Sequence, residues 1–287
     1  MKILALIQAR MGSTRLPGKV LSPILGRPML EWQLERLAHS KRITQIMVAT
    51  STLSMDDPIA EFCKSKNYSY YRGSEDNVLE RFYQASLEIL SAADRTQSIV
   101  LRLTGDCPLL DPTAIDEGID QFLEQRQKGC RYFGYDGNLP DGMDFEVFSW
   151  QALDEAHRLA KDSFEKEHVT PFMWRNPERF GLQKYTKAGI TPGLRFSVDY
   201  QEDLDLVTEI LRREQKVGKT FGMKEISDLL TSDRELSSLN AKIIKNEGLI
   251  ITALKSEPYR TVVNGRSLPK YGLLTPKDSS PELLEWA

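Results

Sequence analysis

A short stretch near the amino terminus carries the residue types that bind phosphate. Residues 8–19 contain three cationic side chains, two glycines and two hydroxyl side chains. Glycine lets backbone N–H groups approach an anionic oxygen, hydroxyls donate hydrogen bonds, and arginine and lysine neutralise charge. The first fifty residues hold eight Lys or Arg and two Glu, although the whole chain has a net charge of −3. We therefore predict a local oligophosphate site formed by Arg10, Gly12, Ser13, Arg15 and Lys19.

The spacing within this stretch excludes two common nucleotide loops. Gly12 and Gly18 enclose five residues, and Val20 follows Lys19, whereas a Walker loop has a shorter glycine spacing and a Ser or Thr after its lysine. No two glycines of the chain are separated by a single residue, so the Gly-x-Gly of a dinucleotide-binding fold is missing. The alternative interpretation is a basic surface loop that only joins a strand to a helix.

Two aspartates follow predicted strands and are candidates for binding a metal. Asp106 comes just after an apolar strand, and Asp199 comes just after Val198. Magnesium is usually held by one or two carboxylates together with phosphate oxygens. The alternatives are a turn residue for Asp106 and a helix cap for Asp199, although Asp203 is the better helix-end residue of that pair.

Polar residues of the second half are suited to binding a sugar. Residues 140–146 place three acids beside a glycine, and a strand beginning near Met143 would put Asp144 and Glu146 on one face. Glu167 and His168 lie in a predicted helix, residues 164–174, that Pro171 interrupts. The alternatives are a solvated edge strand and a buried packing histidine.

The elements that must position these residues alternate between strand and helix. Apolar runs and helix-start residues predict four strand-to-helix units up to about residue 130, which is typical of a doubly wound α/β sheet. The predicted strands cover residues 2–9, 44–51, 68–71 and 98–104, and the predicted helices begin at residues 28, 57, 77 and 111.

The second half predicts less regular structure. We expect a loop over residues 132–142, a strand over 145–148, a helix over 149–161, a strand over 194–198 and a helix over 201–215. Two domains are predicted: a nucleotidyltransferase domain over residues 1–217, and a helical and Pro-rich extension over 218–287. Within the extension, we expect residues 255–287 to form a Pro-rich arm that packs on this subunit or on a partner.

Composition excludes several classes of protein. A near-neutral chain gives no support for binding nucleic acid or an acidic membrane, and no apolar stretch approaches a membrane span. Three cysteines without a Cys-x-x-Cys pattern fit a reducing compartment. We therefore expect a cytoplasmic protein. No zinc-binding or serine-hydrolase motif is present.

The motifs together resemble those of the sugar cytidylyltransferases, which include the 3-deoxy-manno-octulosonate and acylneuraminate enzymes. The segment from Ile7 to Leu21 is more similar to the branch named after spore coat polysaccharide biosynthesis. Further similar motifs follow in chain order up to about residue 211: Val48–Ser51, Arg72–Ser74, Asp76–Arg81, Arg102–Pro108, Pro140–Glu146 and Glu167–Thr170. One departure is Lys166, which stands where that branch usually has an arginine before Glu-His.

The resemblance implies a Rossmann-like, three-layer nucleotide-diphospho-sugar transferase fold of the GT-A-like type, with a mixed, mostly parallel sheet. It implies that CTP activates an acidic, nonulosonate-like sugar, or a related phosphorylated acceptor, to a CMP or CDP derivative with release of pyrophosphate, for surface polysaccharide biosynthesis. It also implies a homodimer and a Mg²⁺ cofactor held by Asp106 and Asp199.

The resemblance further assigns roles to individual residues. Catalysis is expected of Arg10, Lys19, Asp106 and Asp199. Nucleotide binding is expected of Leu6, Gln8, Ala9, Arg10, Gly12, Ser13, Arg15, Lys19, Ala49, Thr50, Arg72, Gly73, Thr104 and Gly105. Acceptor binding is expected of Arg81, Arg102, Asp141, Gly142, Asp144, Glu146, Glu167 and His168. The competing functions are a glycosyltransferase on the same fold and a catalytically silent nucleotide-binding subunit.

Overall fold

The computed structural model describes residues 1–135, 139–191 and 193–243, and the backbone of residues 260–263 and 266–269. The strands in chain order are β1 Ile3–Gln8, β2 Pro23–Ile24, β3 Arg27–Pro28, β4 Gln45–Ser51, β5 Tyr70–Gly73, β6 Ile99–Thr104, β7 Tyr132–Tyr135, β8 Glu146–Ser149, β9 Gln183–Tyr185, β10 Arg260–Val263 and β11 Arg266–Pro269. The helices are α1 Met29–Ala38, α2 Asp57–Ser65, α3 Val78–Ile89, α4 Ala92–Arg95, α5 Pro112–Arg126, α6 Trp150–Leu159, α7 Ser163–His168, α8 Pro171–Trp174, α9 Pro177–Phe180, α10 Gln201–Val217, α11 Met223–Ser232 and α12 Arg234–Ser238.

Seven strands form one sheet in the order β5-β4-β1-β6-β8-β7-β9. Strands β5, β4, β1 and β6 are parallel, β8 runs antiparallel to β6 and β7, and β9 runs parallel to β7. Along β1, alternate residues enter the two hydrophobic clusters: Ile3, Ala5 and Ile7 one, and Leu4 and Leu6 the other. The predicted mixed, mostly parallel sheet with covered faces is confirmed.

The strand order creates a crevice at the carboxyl end of β1. The chain continues from β1 to β4 on one side, whereas β6 pairs with β1 on the other side. Ligands of open α/β sheets bind at such a switch point. The two loops leaving β1 and β6 are joined there, because the N–H of Gly105 donates to the carbonyl of Gln8 at 2.8 Å.

Helix starts follow the side-chain caps that the sequence contains. Asn77 Oδ1 accepts the N–H of Glu80 at 3.0 Å, and Asp111 Oδ1 accepts the N–H of Thr113 at 2.9 Å. Such caps satisfy N–H groups that the first helical turn leaves unpaired. Helix α10 starts at Gln201 as predicted, and Asp203 Oδ2 accepts the N–H groups of Asp199 and Tyr200. The prediction that Asp203 is the helix-end residue is confirmed.

Two predictions for the second half are wrong. Part of the expected loop over 132–142 is strand β7, whose Tyr132 and Phe133 are buried against β8. The expected strand over 194–198 is irregular, with a single bridge between Asp141 and Arg195. This apolar segment lies between loops, so its N–H groups bond to the carbonyls of Asp141 and Asp106 instead of to a strand.

Two boundaries also differ from prediction. Strand β5 covers Tyr70–Gly73, shifted from the expected 68–71. Strand β8 begins at Glu146, so Asp144 precedes it and does not share a strand face with Glu146. Asp144 Oδ1 accepts the N–H of Gly142 at 2.9 Å, because a short acid beside glycine bonds to nearby backbone.

Helices after residue 217 pack against the sheet domain. Met223 and Ile226 are fully buried in the larger cluster, and the N–H of Met223 donates to Asp111 Oδ2 at 2.8 Å. The predicted Pro-rich arm lies largely outside the described residues. In the part of the chain that the structure describes, no helix is both long enough and apolar enough to cross a bilayer.

Candidate active site

Lys19 joins the two predicted metal-binding aspartates. It begins a short 3₁₀ turn, Lys19–Leu21, and its side chain is largely buried. Its Nζ donates to Asp106 Oδ2 at 2.7 Å and to Asp199 Oδ1 at 2.7 Å. The segments that carry the two acids are themselves joined, since the N–H of Val198 donates to the carbonyl of Asp106 at 2.9 Å. The cation and both acids are therefore assembled at the switch point.

Electrostatics keep these three groups charged. Burial lowers the pKa of Lys19, but the charges and hydrogen bonds of Asp106 and Asp199 outweigh burial and raise that pKa above its ordinary value. Burial raises the pKa of each aspartate, but Lys19 lowers both, so both lie below the ordinary value. An opposite charge within contact distance favours the ionised forms.

The phosphate loop is held by its own backbone and by an acid outside it. Gly18 has a φ of +71° and its N–H donates to the carbonyl of Met11 at 3.1 Å. Ser13 Oγ accepts the N–H of Leu16 at 3.2 Å. Asp56, which the sequence analysis missed, accepts the N–H of Met11 at 2.7 Å. It stands in a run of polar residues typical of a helix start, so its sequence gave no sign of this role.

The other two cations of the phosphate loop, Arg10 and Arg15, are less buried than Lys19. The Nη2 atom of Arg15 lies 2.6 Å from Asp199 Oδ1, and its guanidinium lies 5.6 Å from the ring centroid of Tyr200. Arg10 is exposed to solvent. Arg15 therefore reinforces the aspartate site, while Arg10 is accessible to a ligand.

The donor set fits a divalent cation. No cluster of three His, Cys, Asp or Glu side chains able to hold a metal occurs among the described residues, but Mg²⁺ is commonly held by one or two carboxylates plus phosphate oxygens. Oxygens of Asp106 and Asp199 already converge on one cationic atom. Among the described residues, ion pairs connect Arg15, Lys19 and Arg195 to Asp106, Asp141, Asp199 and Asp203, and these seven side chains together carry one net negative charge.

The predicted nucleotide-binding residues lie around the carboxyl ends of the parallel strands. Gln8 and Thr104 end β1 and β6 side by side. Arg72 bonds to the carbonyls of Ser51 and Leu53, so it braces the loop after β4. Besides Lys19, the buried members of the set include Leu6, Ala9, Ala49 and Thr50. The glycines at these strand ends are Gly73 and Gly105.

Part of the predicted acceptor set lies against the Asp199 segment. Gly142 has a φ of +89°, and a Cβ atom there would lie 2.2 Å from the backbone nitrogen of Ser197. Asp141 Oδ2 accepts from Nη1 of Arg195 at 2.5 Å. The sequence analysis did not identify Arg195, whose alternating apolar context is typical of a strand. The loop at 141–142 and the Asp199 segment thus form one packed unit.

Two other residues of the predicted acceptor-binding set, Arg102 and Glu146, belong to an interior polar network next to β1. Arg102 Nη1 donates to Glu146 Oε2 at 2.5 Å, and its Nε and Nη2 donate to Gln8 Oε1 at 3.3 and 3.2 Å. Tyr132 donates its hydroxyl hydrogen to Glu146 Oε1 at 2.5 Å. Glu146 is buried, so it holds Arg102 in place beneath Gln8.

Arg81 and His168 lie on α3 and α7, two helices that pack against each other. Arg81 is 2% exposed; it donates to the carbonyl of Ser74, and among the described residues no carboxylate is paired with it. Its Nε and the Nε2 of His168 are enclosed without a hydrogen-bond partner in the described chain. Burial, then the charge of Arg10, lowers the pKa of Arg81 to about 10. Glu167 is half-buried beside His168.

Comparisons with known proteins identify a family for this chain. A family model described as cytidylyltransferase matches residues 4–228. The chain is 33% identical to the spore coat polysaccharide biosynthesis protein SpsF of Bacillus subtilis, over 74% of this chain and 87% of SpsF. It is 29% identical to the 8-amino-3,8-dideoxy-manno-octulosonate cytidylyltransferase of Shewanella frigidimarina, over 73% of this chain and 85% of that enzyme.

A solved structure extends the similarity to three dimensions. A cytidylyltransferase from Leptospira borgpetersenii superposes with a TM-score of 0.74 and 30% identity, covering 82% of this chain and 96% of the other. The family model's match over residues 4–228 includes the phosphate loop, Asp106 and Asp199. This chain belongs to the cytidylyltransferase family.

Proposed function

We propose that this enzyme transfers CMP from CTP to an acidic sugar and releases pyrophosphate, supplying an activated sugar for surface polysaccharide synthesis. The observation that carries the proposal is the convergence of Lys19, Asp106 and Asp199 at the switch point of the sheet. The polysaccharide role rests on the similarity to SpsF, and the acidic sugar rests on the similarity to the amino-octulosonate enzyme.

The triphosphate binds over the loop that leaves β1. Arg10, Ser13 and Lys19, with the backbone at Gly12, donate to the phosphate oxygens, and Arg15 adds positive charge beside Asp199. The base and ribose contact the adjoining strand ends near Gln8 and Thr104. Preorganised cations of this kind stabilise the charge that develops on the α-phosphate and the leaving pyrophosphate.

Asp106 and Asp199 would hold Mg²⁺ in this enzyme. When bound, such an ion polarises phosphate oxygens and neutralises the charge that develops during transfer. The two aspartates orient the reactants and keep their negative charge near neutral pH, because Lys19 lowers the pKa of both. The acceptor hydroxyl oxygen bonds to the α-phosphorus, and the bond from the α-phosphorus to the oxygen that bridges to the β-phosphate breaks. Pyrophosphate leaves with that electron pair, and the hydroxyl proton passes to solvent water.

The acceptor's anionic group binds near Arg81 and His168. A fully buried arginine without a carboxylate partner is costly, and a bound carboxylate would satisfy it. The enclosed Nε–H of Arg81 is a donor without a partner among the described residues, and the Nε2 of His168 is a second donor when it carries the imidazole proton. Arg10, close enough to affect the pKa of both groups, attracts the same anion from solvent.

A pyrophosphate-release assay tests the proposal. The four nucleoside triphosphates are each combined with Mg²⁺ and with acidic sugars, neutral sugars or phosphorylated small molecules, and product masses are recorded. We expect turnover with CTP and an acidic sugar, and a CMP-sugar mass. Preference for another nucleotide would overturn the cytidylyl assignment. Turnover only from a nucleotide sugar would favour a glycosyltransferase, and CTP binding without turnover would favour a silent subunit.

A further inference from the structure

We propose that Arg195 is a positioning residue that orients the metal-binding carboxylate of Asp199 and couples it to the acceptor loop at Asp141. This inference rests on the proposed role of Asp199. The guanidinium is 5% exposed and bonds to three carboxylates. Its Nη2 donates to Asp199 Oδ2 at 2.6 Å, its Nη1 to Asp141 Oδ2 at 2.5 Å, and its Nε to Asp203 Oδ1 at 3.1 Å.

The two carboxylate oxygens of Asp199 have different partners. Oδ2 faces Arg195, whereas Oδ1 faces Lys19 and Arg15, at 2.7 and 2.6 Å. A carboxylate bonded on one oxygen to a rigid planar guanidinium has a fixed rotation about its side chain. Arg195 therefore presents Oδ1 to the phosphate loop and keeps it there.

The same guanidinium connects Asp199 to the acceptor loop. The carbonyl of Asp141 accepts the N–H groups of Phe196 and Ser197 at 2.6 and 3.1 Å, and the N–H of Asp141 donates to the carbonyl of Leu194 at 3.0 Å. Backbone and side chain thus hold residue 141 to the segment 194–199 at several points. A shift of the acceptor loop would be transmitted through Arg195 to the carboxylate.

Asn240, beyond α12, supports this arrangement from outside. Its Nδ2 donates to Asp203 Oδ1 at 2.8 Å and to the carbonyl of Arg195 at 3.1 Å, and the residue is buried. Partners behind a metal ligand set its orientation, and their loss typically costs about 10- to 100-fold in metal affinity or activity. Asn240, a residue after 217, therefore contributes to the site through Asp203 and Arg195.

The test uses Arg195→Lys, which keeps the charge and loses the planar fork, and Asn240→Leu, which removes the donor at similar volume. Arg213→Lys is the matched control, because Arg213 lies on α10 and pairs with Glu209 and Asp233 away from the site. Binding of Mn²⁺ to each full-length protein without nucleotide is measured by electron paramagnetic resonance, and thermal unfolding verifies the fold. Turnover with CTP and its Mg²⁺ dependence are measured in parallel.

We expect Arg195→Lys to unfold near the wild-type temperature and to bind Mn²⁺ about tenfold or more weakly, with Asn240→Leu showing a smaller loss in the same direction. Arg213→Lys should match the wild type. Wild-type Mn²⁺ affinity in both site variants would overturn the inference, and so would a wild-type chain that binds no Mn²⁺. A wild type that binds Mn²⁺ but never turns over CTP would defeat the proposed function alone, because the Mn²⁺ series still decides the role of Arg195.

Discussion

The N–H of Val198 donates to the carbonyl oxygen of Asp106 across 2.9 Å. This single backbone bond sets the distance between two acid-bearing segments that are far apart in sequence. Asp199 follows Val198 directly, so its carboxylate is delivered to the same place as that of Asp106, where Lys19 contacts both. Backbone geometry therefore creates the acid pair, and side-chain contacts refine it.

Replacing Lys19 with alanine should lower kcat by about 10²- to 10³-fold, because a preorganised cation acting on developing charge contributes that much. KM for CTP should rise far less. Steady-state kinetics over a range of CTP concentrations measure both. The control is Lys66→Ala, since Lys66 is exposed and pairs with Glu31 away from the site. Near-wild-type kcat in Lys19→Ala would remove Lys19 from the mechanism.

Replacing Asp106 or Asp199 with asparagine should raise the Mg²⁺ concentration needed for half-maximal turnover and lower the maximum. The cause is the loss of one charged oxygen donor at the proposed cation site. A Mg²⁺ titration of the rate measures both effects, and chelation of the wild type with EDTA should abolish turnover reversibly. Unchanged Mg²⁺ titrations in both variants would count against these aspartates as the ligands.

Replacing Gly142 with alanine should destabilise the fold by about 1–3 kcal/mol and displace the Asp199 segment, because the new Cβ would overlap the backbone of Ser197. Urea unfolding and turnover measure the two effects. Gly129→Ala is the matched control: its φ of +94° imposes similar strain, but no atom lies within 4 Å of the added Cβ. Equal losses of activity in the two variants would contradict a specific role for the 142–197 contact.

Replacing Arg102 with methionine should destabilise the enzyme by about 3–5 kcal/mol, because Glu146 would remain buried and charged without its partner. The double variant Arg102→Met with Glu146→Gln should recover much of that loss. Urea unfolding of the wild type, both single variants and the double variant gives the coupling energy. Additive losses would show that the two side chains act independently.

Acid should weaken the fold through His168. Burial, followed by the charges of Arg102 and Arg10, lowers the pKa of this imidazole to about 3, against about 6.5 in an unfolded chain. Below pH 6.5, His168 is therefore protonated in the unfolded chain but stays neutral in the native state. This difference reduces the free energy of unfolding by about 2 kcal/mol at pH 5.

His168→Gln should lack this component, so the stability of the variant relative to the wild type should improve between pH 7.5 and pH 5. Urea unfolding at the two pH values provides the comparison. His39→Gln serves as the control, since His39 is exposed at the end of α1. Parallel pH profiles for wild type and His168→Gln would show that His168 is not the group responsible.

The sequence predicts the parallel half of the sheet because β1, β4 and β6 are mostly apolar runs, and because Asn77 and Asp111 cap the helices that follow β5 and β6. Asp106 is predictable because it comes just after β6, and Lys19 is predictable because it lies in the basic, glycine-containing loop that leaves β1. The irregular segment at 194–198 is not predictable, because its alternating residues are typical of a strand while its hydrogen-bond partners belong to two distant loops. Arg195 and Asn240 escape prediction because their partners are set by tertiary contacts.

The pairing of Arg102 with Glu146 shows the same limit. The family resemblance predicts that both residues bind the acceptor. In the structure, the antiparallel register of β8 on β6 brings them opposite each other. A register between strands that many residues separate depends on the intervening loop and helix, which local pattern does not encode. Charged residues in the two strands are therefore recognised as notable without their partners being known.

The spacing of the site along the chain also affects how the protein is made. Lys19 and Asp199 are 180 positions apart, so a growing polypeptide has no complete nucleotide cradle until nearly the whole sheet domain has left the ribosome. Ligands stabilise only states that bind them, so under the proposed function early folding intermediates gain no stability from CTP. Burial of the hydrophobic core must therefore drive folding until Asp199 has been synthesised. After that point, bound substrate can stabilise the folded state.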